Sequence, residues 1–145
     1  MKVSTKGRYA IRSLTHLAVS YRKNNNGPVS IKEISGKEKI SNRYLENIFV
    51  KLRKKGIVNS VKGEKGGFKL SKAPDKVSLY DILISVENST TPSLCAINPS
   101  SCDRGSICGI RKLWVGLDKE IVKYLTGNTL ARATALHLGT KKGKK

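Results

Sequence analysis

Residues 41–70 read SNRYLENIFVKLRKKGIVNSVKGEKGGFKL, and this pattern decides the fold. Ser41 is a good N-cap, because its hydroxyl can accept from an orphan N–H of a first helical turn. Leu45, Ile48, Phe49 and Leu52 then recur at helical spacing and form one apolar face. Arg43, Tyr44, Glu46, Asn47, Lys51 and Lys54 fall elsewhere on the helix. That polar side holds what a base-reading helix needs. Arginine forks onto guanine, asparagine onto adenine, glutamate accepts from cytosine, and lysines meet phosphate. Gly56 ends the helix in the left-handed region. Residues 57–61 alternate as a strand, residues 68–70 return, and Lys62-Gly63-Glu64-Lys65-Gly66-Gly67 between them is turn chemistry. A recognition helix followed by a β-hairpin wing is the reading that results.

The flanking chain completes it. Ser4 or Thr5 caps a first helix to about residue 21, with Ala10, Ile11, Leu14, Leu17, Ala18 and Tyr21 as its buried stripe. Asn24-Asn25-Asn26-Gly27-Pro28 breaks the chain. Ser30 with Glu33 three residues on forms a capping box for a short second helix that turns Ile31 and Ile34 inward. Helix, turn, helix, hairpin is a winged helix-turn-helix in chain order. The fold expected is mainly α with one small β-hairpin. Residues 1–77 form the DNA-binding domain. Residues 78–138 hold a linker helix, a cysteine loop and a dimerisation helix, and residues 139–145 a disordered basic tail.

Charge agrees with this division. The chain has 145 residues and a net charge of +19. Residues 1–78 carry 19 Lys/Arg against 5 Asp/Glu, a net +14, and residues 79–145 carry 10 against 5, a net +5. Nucleic acid is the polyanion this distribution suits best, ahead of an acidic membrane surface. No run approaches the ~20 apolar residues of a membrane span, and the N-terminus lacks a signal-peptide core, so the cytoplasm is expected. Enzyme chemistry is not expected. With ten acidic residues and two histidines, the chain shows no nucleophile–base set, phosphate loop or paired carboxylates.

After the wing, Ser78 and Asp81 make a capping box for a helix to about residue 87, burying Leu79, Ile82, Leu83 and Val86. Residues 88–108, NSTTPSLCAINPSSCDRGSIC, have two prolines, five serines and no clear period. A loop of that length inside a compact fold asks for a staple or a function. From Gly109 to Thr126 helical spacing returns in Ile110, Leu113, Leu117, Ile121 and Leu125, widened by Trp114 and Val122. A palindromic operator needs a two-fold protein, so this stripe is expected to build a homodimer on double-stranded DNA. A last short helix over residues 129–138 faces Leu130, Ala133, Ala135 and Leu136 inward.

Cys95, Cys102 and Cys108 stand as Cys-x6-Cys-x5-Cys. Structural zinc sites use tighter pairs, and a wider loop-borne set suits an iron–sulfur cluster, whose irons take thiolates from separated directions. Zinc, thiol-based sensing and inert cysteines stay open on spacing alone.

The chain also resembles the IscR/NsrR-type family of iron–sulfur-regulated winged-helix transcription factors. The matching residues are Lys2-Val3-Ser4-Thr5-Lys6-Gly7-Arg8-Tyr9-Ala10, Tyr44-Leu45-Glu46, and Leu52-Arg53-Lys54-Lys55-Gly56-Ile57-Val58. They continue with Val61-Lys62-Gly63, Gly66-Gly67-Phe68 and the three cysteines. The resemblance implies a transcriptional repressor with a [2Fe–2S] or [4Fe–4S] cluster on Cys95, Cys102 and Cys108, answering to iron–sulfur status, oxygen or nitric oxide. Its DNA contacts would be Arg43, Tyr44, Glu46 and Asn47 in the major groove, Lys62 and Lys65 on the wing, and Lys6 and Lys51 on phosphate. The fourth cluster ligand departs from the family. Arg111 stands where IscR-type members have a histidine, and Arg8 where NsrR-type members have an acidic residue. Asp103, His16, His137, Arg111 or a non-protein ligand remain for that position. The alternative is the same fold without a cluster, controlled by cysteine-thiol redox chemistry or by a partner protein.

Overall fold

The computed structural model describes residues 2–142. Seven helices and one hairpin follow in order: α1 (Thr5–Lys23), α2 (Ile31–Glu38), α3 (Asn42–Lys54), β1 (Val58–Val61), β2 (Gly67–Leu70), α4 (Leu79–Glu87), α5 (Leu94–Ile97), α6 (Arg111–Gly127) and α7 (Leu130–Lys142). Two 3-10 turns, Pro74–Lys76 and Pro99–Ser101, lie between them. The winged helix-turn-helix is therefore present in the expected order, mainly helical with one hairpin.

Local chemistry sets the helix ends. Ser4, Ser30, Ser41 and Ser78 each accept a backbone N–H from three residues on, so four helices begin at a serine cap. The capping box at Ser78 and Asp81 is complete. The one expected at Ser30 is half-formed, because the Glu33 carboxylate turns to Lys37 at 2.7 Å instead of back to the cap. At the end of α3, Gly56 takes φ +73°. Its N–H reaches Arg53 O at 3.0 Å, and the Ile57 N–H reaches Leu52 O at 3.0 Å. This is a Schellman stop, with Leu52 and Ile57 both buried at its apolar contact.

The hairpin is antiparallel, with Val58 opposite Leu70 and Val61 opposite Gly67. A bridge not legible in the periodicity extends it, since Val29 and Phe68 exchange N–H···O bonds of 2.9 Å each. Gly67 makes this approach possible. It sits at φ +152°, and a Cβ there would collide with the Val29 carbonyl.

The core does not divide at residue 77. Leu14, Leu17, Ile34, Leu45, Ile48, Phe49 and Leu52 share one buried cluster with Val77, Ile82, Val86 and Leu130. Each such side chain contributes ~1.5–3 kcal/mol on full burial. Phe49 and Phe68 meet at 4.9 Å between ring centroids, which seats the wing on the recognition helix. Leu79 N–H to Asn128 O and Leu130 N–H to Val77 O, both 2.8 Å, join the two ends of the C-terminal half to the wing's exit.

Three expectations change. First, residues 88–108 are not a bare loop: α5, the 3-10 turn Pro99–Ser101 and a run of turns order them, and α6 starts at Arg111, not Gly109. Second, α7 faces Leu130 and Thr134 inward, while Ala135 and Leu136 are exposed. It packs against α1 and the Pro74–Lys76 turn. Third, α7 continues through Lys142, so residues 139–142 are helical where a disordered tail was expected. The remainder of that tail, residues 143–145, lies outside the described residues.

Candidate nucleic-acid interface and cysteine loop

The polar face of α3 is open. Arg43, Glu46 and Asn47 are exposed, and the apolar face beneath them is fully buried. No ion pair involves Glu46 among the described residues. Tyr44 is oriented by a chain of contacts on α1. Its ring meets Tyr9 edge-on at 5.7 Å between centroids, and the Arg12 guanidinium lies 5.5 Å over the Tyr9 ring. Arg12 pairs in turn with Glu38 of α2 at 2.6 Å, and the other Glu38 oxygen meets His16 Nε2 at 2.6 Å. So α1, α2 and the polar face of α3 are braced against one another.

The Glu38 side chain is largely buried, which by itself raises its pKa. The hydrogen bonds and charges of His16 and Arg12 outweigh that and hold it below the usual carboxylate value. A carboxylate with a lowered folded pKa stabilises above the unfolded pKa, and that contribution is lost as pH falls through the folded value. Thermal melts over roughly pH 6 to 3 should therefore show Glu38→Gln below wild type at the neutral end and converging with it in acid. A constant gap across that range would mean that the pair is energetically silent.

Lys6 and Lys51 are brought together by the tertiary fold. Lys6 leaves the first turn of α1 and approaches Lys51 on α3. The close approach and charge of Lys6 hold the Lys51 pKa below the usual lysine range, while the Glu87 carboxylate acts the other way. The two lysines, with Tyr44, Asn47 and Lys54, line one concavity beside the recognition helix. Two ammonium groups lining one concavity are suited to sharing an anion. Lys62 and Lys65 are exposed on the wing turn, beyond the strands that pair Val61 with Gly67.

The three cysteines are free thiols. Cys95 is half-buried on α5, 3.1 Å from the Ser93 hydroxyl, and Cys102 and Cys108 are exposed. Between them Gly105 is buried against Pro99, where a Cβ would collide with the Pro99 carbonyl. Arg111 ties the loop to α6, with Nε donating to Cys95 O at 2.5 Å and a terminal nitrogen to Ala96 O at 3.4 Å. Its guanidinium stays protonated and has no lone pair to offer a metal. His16 is committed to Glu38, Arg8 donates to the Thr5 hydroxyl at 3.2 Å, and Asp103 is exposed. Three unpaired thiols on one segment are the donor set an iron–sulfur cluster takes, so the chemistry fits. Among the described residues no three His, Cys, Asp or Glu side chains converge on one point. Gathering the thiols therefore requires the short turns of residues 98–108 to rearrange.

Along α6 no residue is fully buried. Leu117, Ile121 and Leu125 are half-buried, and Ile110, Leu113, Trp114 and Tyr124 are exposed. Leu94, Ile97 and Ile107 of the cysteine loop are exposed too. An apolar groove of about 640 Å³ opens alongside, lined by Val3, Leu83, Pro92, Ile121, Tyr124 and Leu125.

Two residues of this region gave no signal in periodicity. Gly7 is buried where α4 crosses α1, and Glu87 reaches back from the end of α4 to the first turn of α1. An acidic residue in a last helical turn opposes the helix dipole, and that anomaly was the available clue to Glu87.

Comparison with known proteins gives a consistent result. Residues 3–135 match the Rrf2 family, described as an iron-dependent transcriptional regulator. The chain is 35% identical over 130 residues to the HTH-type transcriptional regulator IscR of Aliivibrio salmonicida, covering 90% of this chain and 75% of that one. It is 37% identical over 131 residues to IscR of Cereibacter sphaeroides, covering 86% and 81%. Among solved structures, CymR, the global cysteine regulator of B. subtilis, superposes with TM-score 0.75 at 29% identity, over 94% of this chain and 98% of that one. IscR of T. potens superposes with TM-score 0.73 at 29% identity, over 100% and 92%. No helix among the described residues is long and apolar enough to cross a membrane.

Proposed function

The chain belongs to the Rrf2 family of transcriptional regulators, and on that premise we propose that it is a homodimeric, sequence-specific DNA-binding repressor controlled through its cysteine loop. It is a regulator and not an enzyme. Arg43, Tyr44, Glu46 and Asn47 read bases in the major groove, Lys62 and Lys65 carry the wing to the backbone or minor groove, and Lys6 and Lys51 hold phosphate. Cys95, Cys102 and Cys108 hold an iron–sulfur cluster, with the fourth position left to a weak or non-protein ligand. Such a cluster supplies a centre to which three separated thiolates are tied at once, and one that oxygen or nitric oxide attacks. Residues 78–138 act as the sensing and dimerisation part. The chain works in the cytoplasm.

The observation that carries this reading is the pairing of an open, braced recognition face with three free thiols on a segment joined directly to α6. Cysteine-thiol control without a cluster is the second reading. The thiols do not converge in this structure, and a relative 29% identical is described as an oxidized form of Staphylococcus aureus CymR.

The DNA-binding part is tested by two substitutions read together. Arg43→Ala should weaken operator binding by about 1–3 kcal/mol and lower the ratio of specific to non-specific affinity, as loss of a bidentate base contact does. Lys62→Ala should weaken binding to all sequences and flatten the salt dependence by about one unit per lost contact, one in each subunit. An unchanged specificity ratio in Arg43→Ala would remove α3 as the reading helix.

A further inference from the structure

The last residue of α4, Glu87, stands at a junction of three features. Its carboxylate accepts from the Ser4 hydroxyl and from the Gly7 N–H at 3.1 Å. The same Gly7 N–H is 3.0 Å from Ser4 Oγ, so the N-cap of α1 is shared between its own serine and the end of a helix 80 residues away. The approach needs Gly7, since a Cβ there would lie 2.7 Å from Leu83 Cδ2 and 2.8 Å from Glu87 Oε1. Lys6 lies between these two anchored residues and lines one concavity with Lys51 of α3. On its other side, Glu87 is followed by Asn88 at φ 66°, where α4 stops and the segment carrying all three cysteines begins.

A carboxylate in this place has a cost. It sits at the negative end of its own helix, and it brings an acidic group towards a surface otherwise built for polyanions. What it gains is fixed geometry. It holds the first turn of α1, and therefore the Lys6 backbone, against α4. Without it, Lys6 would be free to move away from Lys51, as their mutual repulsion favours.

We propose that Glu87 is a positioning residue which holds Lys6 beside Lys51 for a shared DNA phosphate, and which transmits the state of the cysteine loop to that grip. The proposal rests on the DNA-binding reading above and deepens it. Movement of the loop pulls on Asn88 and Glu87, loosens the first turn of α1, and removes one phosphate contact from each subunit.

The sign of the effect separates this role from others. Removal of a carboxylate near DNA should tighten binding on charge alone. A purely structural role should lower the melting temperature and leave the salt slope unchanged. Positioning predicts weaker binding with a flatter slope. The measurement is binding to a random-sequence duplex across about 50–200 mM KCl, where each phosphate contact contributes roughly 0.9 to the slope. Lys6→Ala and Glu87→Ala should each flatten the slope by the same amount, and the double variant by no more than either. Glu87→Gln keeps an acceptor oxygen and should restore the wild-type slope. If Glu87→Ala does not fold, Ser4→Ala interrogates the same contact. Alkylation of the cysteines with N-ethylmaleimide should weaken wild-type binding and leave Glu87→Ala no weaker than before.

Tighter binding by Glu87→Ala, additive effects with Lys6→Ala, no rescue by glutamine, or an alkylation effect that is absent in wild type or equal in both proteins would each overturn the proposal. A wild type that bound no duplex would instead sink the DNA-binding reading itself. A wild type with a Lys6-dependent slope that Glu87→Ala leaves intact would sink only the positioning role.

Discussion

Leu113→Lys is expected to yield a folded monomer with operator affinity reduced by about a hundredfold or more, the scale at which linked sites reinforce one another. Helix α6 is 17 residues long and has no fully buried side chain in the single chain. In proteins most helical stability comes from covering an apolar face and not from propensity. Leu113 is 67% exposed, Ile110 59% and Tyr124 68%, and Leu94, Ile97 and Ile107 add apolar surface from the loop beside them. A two-fold partner covers such a stripe with its own copy, residue against equivalent residue. A lysine near the axis would set two ammonium groups against each other in a dehydrated contact. Leu113 serves this test better than Leu117, which is half-buried within its own chain and would mix folding with assembly. Sedimentation reads the oligomeric state, and the emission of Trp114, the single tryptophan, reads exposure of the same helix. An unaltered dimer would place the interface on another surface.

Replacing Cys95, Cys102 or Cys108 singly with serine is expected to abolish cluster binding in anaerobically prepared protein. Visible absorption, iron and acid-labile sulfide are the readouts. The loss should be complete for each, because the segment supplies only these three thiolates and serine is a far poorer ligand for the irons of a cluster. The wild-type cluster should itself be short-lived in air, since Arg111 offers no lone pair. Arg111→His should lengthen its lifetime.

The helical signal should survive in every cysteine variant. The main core joins α1 to α4 and Leu130, and it contains no cysteine. Proteolysis of the apo protein should then cut within about residues 89–108, a stretch of short helical pieces and turns that Arg111 ties to α6. Collapse of the whole helical signal would make the cluster a folding staple. Reduced protein that carried zinc or no metal, and still changed its DNA affinity through these thiols, would establish thiol control instead.

Period and capping determined the winged helix-turn-helix. Leu45, Ile48, Phe49 and Leu52 specify a helix with one buried face whatever else surrounds it. Four serine caps, the Gly56 stop and the Lys-Gly wing turn are local events, decided within three or four residues. Local events can be read from a line of text. So could the three thiols, and the replacement of an expected ligand by Arg111.

The tertiary structure alone decided what lies between elements. Val29 pairs with Phe68 across 39 positions, Glu38 joins Arg12 and His16, and Glu87 caps a helix 80 residues earlier. None of these has a period, because a hydrogen bond between distant segments depends on how two helices cross. The order within residues 88–108 escaped for a related reason. Its turns are too short to show periodicity, and Arg111, the residue that ties them to α6, carries the charge of a surface side chain. Continuity of the core across residue 77 was hidden likewise, since the composition shifts there while Val77, Ile82 and Leu130 pack into the same interior as Leu14 and Phe49. Burial depends on which faces meet, and only the folded chain brings those faces together.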